Sequence, residues 1–558
     1  MRRILSLLCS LLLVCGVAKA QYDSGGLIID PSTITAFDMF NSAHTQFNTI
    51  TARSAAMAGA MTSLGADASS LSINPAGVGM YRTNELTFTP MMSFTRAKTA
   101  ADPFEGNSAQ PFEGNSKNRF AVGNFGVVVK LRESSTGVTA INMGLSYNRL
   151  ADYNYKYSFT APTYGDMSIA SVYADQLASA GISAAQLKQN YDNFGNFRWS
   201  HYDPTYWGAI LAYKTGLINE GNDGRWSLDM LPLSRVTTCA ATVESKGRAD
   251  EWVWSLGINF NSKFYLGMSL GASTISQEKH IYYGEDYTAS PMLEQNYRME
   301  YFNYDQITQM KGTGINFKIG AIYRPIESLR IGVAFHTPTY YNVTYKYQGG
   351  MTSQVKAINN VDGYTVNSQG YIDPPFSEQT EVLIDDGDYS WRFTTPTRLM
   401  VGASYTVAKQ LILSVDYERD WYNTMRMKNS PYGPLYKGFI KDEFKGSNTV
   451  RAGAEWRFIP QMAIRLGYGL WSGALDDDDK VYSSPVIYRT EYMSTGLGIA
   501  LSKHFTIDLA YMYCKNDLTP YMTFYGSYPA DYGGGAHSGR FNTSISRHNA
   551  MMTLTVKF

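Results

Sequence analysis

The sequence predicts an all-β chain closed into a membrane-spanning barrel of fourteen antiparallel strands. Three observations carry this. Apolar and polar residues alternate over long stretches, very short connections interleave with long polar ones, and the chain ends in an alternating segment closed by Phe558. Alternation is what a strand with one face in lipid and one in a polar lumen requires.

Residues 1–20 read as a targeting segment. Arg2 and Arg3 precede an apolar run from Ile4 to Val17, and Ala18-Lys19-Ala20 forms a small-x-small cleavage site. The mature chain is expected to begin at Gln21. Cys15 does not mark lipidation, because Val14 before it is branched. No later segment holds 18 consecutive apolar residues, which excludes a helical membrane protein.

Between Ala463 and Trp471, Ile464, Leu466, Tyr468 and Leu470 share one face, opposite Arg465, Gly467, Gly469 and Trp471. Leu411, Leu413, Val415 and Tyr417 stand opposite Ser414, Asp416 and Glu418. Val450, Ala452, Ala454 and Trp456 stand opposite Arg451, Gly453 and Glu455, and Phe505, Ile507, Leu509 and Tyr511 opposite Thr506 and Asp508. Six connections are very short: Arg132 to Thr136, Asn261 to Lys263, Arg324 to Ser328, Val407 to Gln410, Phe458 to Gln461 and Ser502 to His504. Long polar stretches, about 160–246 and 349–388, lie between them. Six turns join twelve strands, and Glu85 to Ala97 and Ser544 to Phe558 add one at each end. The even total fits single-chain bacterial barrels, whose short turns face the periplasm.

Equal numbers of basic and acidic residues, 48 each, leave no net field directed at nucleic acid. The 42 tyrosines suit membrane–water interfaces, and the 49 glycines suit strands that curve. Cys239 and Cys514 remain after cleavage, and two unpaired thiols are the simpler reading. Histidine and cysteine spacing offers no metal site, and no phosphate-binding loop or nucleophile–base set points to catalysis. Cofactors are therefore not expected. The Asp476 to Lys480 run lacks the spacing of a calcium loop and reads as solvated charge. Asp102 to Ser108 is nearly repeated by Gln110 to Ser116, as at a tolerant loop tip. Ser171 to Tyr191 reads as a helix in the longest loop.

Two segments ahead of the strands are distinctive: Arg53-Ser54-Ala55-Ala56-Met57-Ala58-Gly59-Ala60 and Ser72-Ile73-Asn74-Pro75-Ala76-Gly77-Val78-Gly79. With the strands at Gly314 to Pro325, Leu329 to Gly332, Pro396 to Asp416 and Val450 to Tyr468, the chain resembles the FadL/TodX family of outer-membrane transporters of hydrophobic compounds. The resemblance spans roughly residues 45 to 558. Gln21 to Thr45 and the long loop after Thr160 depart from it. It implies that residues 21–84 hold an N-terminal extension and a hatch inside the lumen, with Asn74, Pro75 and Ala76 in the hatch. Residues 85–558 would form the barrel. A terminal aromatic such as Phe558 resembles the signal read by the outer-membrane assembly machinery.

Gly257, Gly267, Gly320, Gly332, Gly402, Gly453, Gly467 and Gly498 all fall on the inward face, at similar distances from the short turns. Curvature explains glycine in strands. One shared face and level also suits packing against a hatch, and the two readings weigh equally. Asn74, buried there, should find amide or carboxylate partners on the strands. In the third strand Gly144 and Ser146 point inward. Arg149 continues the outward face, where it either reaches the headgroups or is re-aimed by a bulge. The resemblance implies a kinked third strand there, with Gly144 and Ser146 lining a lateral exit.

The reading is a monomer in the outer membrane, in contact with its lipid, that passively transports hydrophobic small molecules such as fatty acids. They would be captured at the outer mouth, pass the hatch and leave through the wall. A barrel of this kind serving as a protein-binding shuttle in secretion is the alternative.

Overall fold

The computed structural model describes residues 36–47, 49–101, 112–135, 137–163, 168–202, 206–227, 237–288, 297–357, 376–382, 390–429, 433–475, 486–519, 521–522, 525–526, 536–537 and 540–558. The targeting segment, the first copy of the repeated motif and the Asp476 to Lys480 run lie outside the described residues.

Fourteen strands close into one barrel: β1 Glu85–Ala101, β2 Phe112–Glu133, β3 Val138–Asp152, β4 Thr237–Phe260, β5 Phe264–Asp286, β6 Tyr297–Ile326, β7 Leu329–His336, β8 Arg398–Val407, β9 Leu411–Trp421, β10 Gly446–Ile459, β11 Met462–Ser472, β12 Ile487–Ala500, β13 Phe505–Leu518 and β14 Arg540–Lys557. Each pairs antiparallel with its neighbour in sequence. β1 pairs with β14 from Glu85↔Lys557 to Ala101↔Phe541, which closes the cylinder. Closure joins the first strand to the last, the condition for strands to cross lipid.

Five of the predicted short connections are described throughout, and all five are tight turns. In two of them both central residues have positive φ, Asn261 and Ser262 at 51° and 58°, Ala408 and Lys409 at 47° and 60°. That geometry matches the twist of the flanking strands. At the other end several strands continue beyond a break. Tyr155–Thr163 extends β3, Tyr340–Ala357 extends β7, Trp391–Thr394 precedes β8 and Arg426–Lys428 follows β9. The stretches read as long loops thus begin and end in strand.

Outward rows on the β4–β5 hairpin run Phe260–Phe264, Ile258–Leu266, Leu256–Met268, Trp254–Leu270 and Trp252–Ala272. At ~3.3 Å per residue and the usual tilt they span roughly 20 Å, close to the apolar belt of a membrane barrel. Among the described residues no helix is long and apolar enough to cross a membrane.

The remaining elements lie within or over the lumen: α1 Ala36–Ala43, α2 Ala52–Ala56, α3 Ser70–Ile73, α4 Ile169–Ala180, α5 Ala184–Gln189, α6 Trp207–Lys214 and α7 Gly433–Glu443. The helix expected over Ser171 to Tyr191 is two helices. Gly181, at φ +65°, ends α4, and a reciprocal Ser183–Gln186 cap starts α5. Cys239 and Cys514 are buried, and among the described residues neither forms a disulfide.

Candidate functional site

The hatch fills the lower lumen. Thr51 caps α2 by accepting from the Ser54 amide and donates to Asp67 Oδ1 at 2.8 Å; the same oxygen accepts from Ser69. Asn74 is extended (φ −142°, ψ 101°), as a residue before proline prefers, and Pro75 opens a short 3₁₀ turn, Pro75–Met80. Asn74, Pro75 and Ala76 are fully buried inside the barrel. Asn74 Nδ2 donates to the Thr62 carbonyl at 2.7 Å and, at 3.4 Å, to the carbonyls of Ala321 and Val333. Its Oδ1 accepts from the Ala76 amide at 3.1 Å, so its partners are backbone groups and not the strand side chains expected.

The inward glycines meet this plug where their missing Cβ atoms would fall. Gly257 faces Val78 and Gly79, Gly267 faces Pro75, Gly320 faces Asn74, Gly332 and Gly402 face Thr62, Gly453 faces Met57, and Gly467 faces Met57 and Ala58. Gly498 does not. A Cβ there would meet the Arg465 guanidinium and Asp508, an ion pair at 2.6 Å that lies over it. Gly496, not singled out from sequence, stands instead against Ala56, and Gly126 lies nearest the plug at Ala68.

Charged inward residues tie the plug to the wall. Glu455 Oε2 accepts from Arg53 at 2.8 Å and from Arg465 at 2.7 Å. Asp416 accepts the Thr62 amide at 2.7 Å, Glu251 accepts Ser72 at 2.7 Å and Lys318, and His336 bonds the Ile73 carbonyl at 2.9 Å. Asn142 donates to the Val78 and Tyr81 carbonyls. These side chains lie on the polar half of the alternation. Their partners were not legible because hatch and strands are hundreds of residues apart.

One stretch of wall is irregular. The β2–β3 ladder stops at Asn124↔Asn148, whose side chains bond at 2.6 Å. At the same level β1 carries Pro90, which has no N–H to give, and β2 slips register around Gly123. The Gln46 amide takes the Leu150 carbonyl at 2.9 Å, and Thr49 Oγ1 the Arg149 carbonyl at 3.3 Å. Arg149 stands one row above the apolar belt, level with Asp250. A register shift follows it, and its side chain is buried on Asp250 (3.2 Å) and Tyr147. Gly144 and Ser146 lie below the break. Gly144 faces Leu71 of the hatch, its absent Cβ 2.8 Å from the side chain, and Ser146 is buried beside Asn148.

Above the hatch, α1 inserts Phe40 into an aromatic cage. Its ring centroid lies 4.8 Å from Tyr422, 5.1 Å from Phe444 and 6.2 Å from Trp471, and His44 lies 4.3 Å from Trp471. Arg398 underlies the cage, held by Asp420 at 2.7 Å and Glu418 at 3.2 Å. Helices α4 and α6 bury Tyr173, Leu177, Ile210 and Leu211 in the same core as Trp391 and Phe302. This aromatic cluster was not apparent from sequence, since Phe40 belongs to no periodic segment.

No family model and no curated protein matches the chain. Among solved structures it aligns with a Pseudomonas aeruginosa FadL homologue at 12 % identity, covering 91 % of this chain and 98 % of that one, with TM-score 0.48. It aligns with the P. putida toluene transporter TodX at 11 % identity, over 92 % and 99 %, with TM-score 0.47. The Ralstonia pickettii toluene transporter TbuX gives 14 %, 92 %, 100 % and 0.44. These barrels are what the chain is similar to, and its own fourteen-strand closure rests on the register of its own strands.

Proposed function

We propose that the protein lets hydrophobic small molecules, fatty acids or compounds like them, cross the outer membrane passively. They enter at the outer mouth, occupy the aromatic cage where Phe40 now sits, and leave sideways between β2 and β3. The hatch, residues 50–80, closes the straight route to the periplasm, where the short turns lie.

The seam is the observation that carries this reading. A backbone carbonyl at a strand edge that has lost its neighbour needs another partner. At this seam the partners of Leu150 and Arg149 are Gln46 and Thr49, borne on a lumenal segment and not on a barrel strand. Withdrawing that segment opens a slot without breaking a strand–strand ladder. Phe40 precedes Gln46 by six residues, so a ligand that displaces the ring from its cage also pulls on the latch.

Uptake of a radiolabelled fatty acid into vesicles holding the purified protein tests it. A cysteine pair bridging β2 and β3 just above Asn124 and Asn148 should stop uptake when oxidised and restore it on reduction. Unchanged uptake in the oxidised form would rule out exit at this seam.

A further inference from the structure

The outward face of the wall opposite the closing strands carries a second arrangement, unrelated to the lumen. Strand register sets its side chains in rows. The topmost apolar row runs Trp252, Ala272, Ile315, Tyr340 across β4, β5, β6 and the extension of β7. The next row runs Asp250, Thr274, Thr313, Asn342, then Arg392 and Lys428. Above it come Arg248, Ser276, Lys311 and Thr344.

Short side chains in the middle of these rows leave the wall hollow. One recess of about 580 Å³ is lined by Trp252, Ile315 and Tyr340 with Arg392 and Lys428. An adjoining one of about 500 Å³ shares its Thr274, Thr313 and Asn342 floor and is lined by Arg248 and Lys311.

The charges do not balance. Arg392 and Lys428 are direct cross-strand partners, an arrangement that is destabilising between like charges unless an anion intervenes. Among the described residues neither forms an ion pair, nor does Lys311. The one carboxylate of these rows, Asp250, is held by Arg248 at 2.7 Å and Arg149 at 3.2 Å. Glu278, a row higher, accepts from Gln309 at 3.0 Å and lies across from Lys246.

We propose that this face binds a phosphorylated glycolipid of the surrounding leaflet. Each tier matches one part of such a molecule. Trp252, Ile315 and Tyr340 continue the lipid-facing belt and take acyl chains. The threonine and asparagine floor offers hydroxyl and amide groups to sugar, and the cations above take phosphate through charge-assisted hydrogen bonds. A zwitterionic phospholipid would leave both the floor and the excess positive charge unmet. The proposal rests on the membrane orientation given above, with short turns periplasmic, and not on the transport route.

Native mass spectrometry of the full chain in mild detergent tests it, with three probes added in turn: bisphosphorylated lipid A, its dephosphorylated form, and phosphatidylcholine. The bisphosphorylated glycolipid should be retained over both others. R392Q/K428Q should weaken it at least about tenfold, the scale of losing one charged hydrogen bond. R489Q/K515Q, which neutralises cations paired to Glu491 and Asp517 on the far wall, should not. Equal retention of the dephosphorylated glycolipid, or undiminished binding by R392Q/K428Q, would overturn the proposal. So would an acidic protein copurifying in place of lipid. Fatty-acid uptake by R392Q/K428Q should stay at the wild-type level, so failure here leaves the transport reading intact.

Discussion

Arg53 of the hatch and Glu455 of β10 meet at 2.8 Å, and Arg465 of β11 reaches the same carboxylate oxygen from the wall. Glu455 is fully buried and Arg465 nearly so. Glu455→Gln would leave two guanidinium groups facing each other in the lumen. Breaking a buried pair from one side typically costs about 3–5 kcal/mol. A lowered urea midpoint with faster proteolysis of residues 50–80 is expected. A midpoint equal to wild type would mean the hatch is held elsewhere.

Gly332 and Ile331 are neighbours in β7 with opposite outlooks, one toward Thr62 and the other toward lipid. Gly332→Phe should displace the hatch or block assembly. Ile331→Phe exchanges one apolar group for another in the belt and should fold and transport normally. Heat-modifiable gel mobility and uptake compare the two, and indistinguishable variants would leave curvature as the sole role of Gly332.

Accessibility separates the plug from the chain that leads to β1. Ala76 is buried, whereas Arg82 is exposed beside the short-turn end. Ala76→Cys should react with a membrane-impermeant maleimide at least about tenfold more slowly than Arg82→Cys, as protected sites do. Equal rates would place the Asn74-Pro75-Ala76 corner outside the barrel.

The latch depends on a backbone donor at position 46. Gln46→Pro removes that N–H and Gln46→Ala keeps it. The proline variant should raise fatty-acid uptake and sensitivity to large apolar antibiotics, and the alanine variant should change neither. Identical behaviour would show that the bond to Leu150 gates nothing.

Phe40→Ala empties the cage between Tyr422, Phe444 and Trp471. Loss of a buried phenylalanine ordinarily costs about 3–5 kcal/mol. If the ring stands in a ligand's place, binding of an apolar probe should tighten while stability falls. Calorimetric titration and denaturation read the two separately, and weaker binding in the variant would make Phe40 ordinary core.

The wall was legible because every strand repeats one rule. Ile464 and Arg465 differ in polarity because one meets lipid and the other Glu455, and that contrast recurs with period two. The lumen obeys no period. Gly320 and Gly498 look alike in sequence, yet one faces Asn74 of the hatch and the other the Arg465–Asp508 pair of the two adjoining strands. Asn74 was noticed from its proline and its resemblance, but its carbonyl partners depend on where Ala321 and Val333 arrive. Phe40 gave no signal, since its cage is assembled from residues near 422, 444 and 471.

The bond from the Ala52 amide to Thr553 Oγ1, 2.7 Å long, joins positions 501 apart in the chain. The plug therefore leaves the ribosome long before its contact on β14 is made. A cylinder sealed by β1 against β14 cannot admit its contents afterwards without reopening. The contents must already be in place when the outermost strands meet, so the wall is wound around them. Loop closure on that scale is slow. Until it is complete, the small apolar residues of the hatch have to be kept from other partners on the way to the membrane.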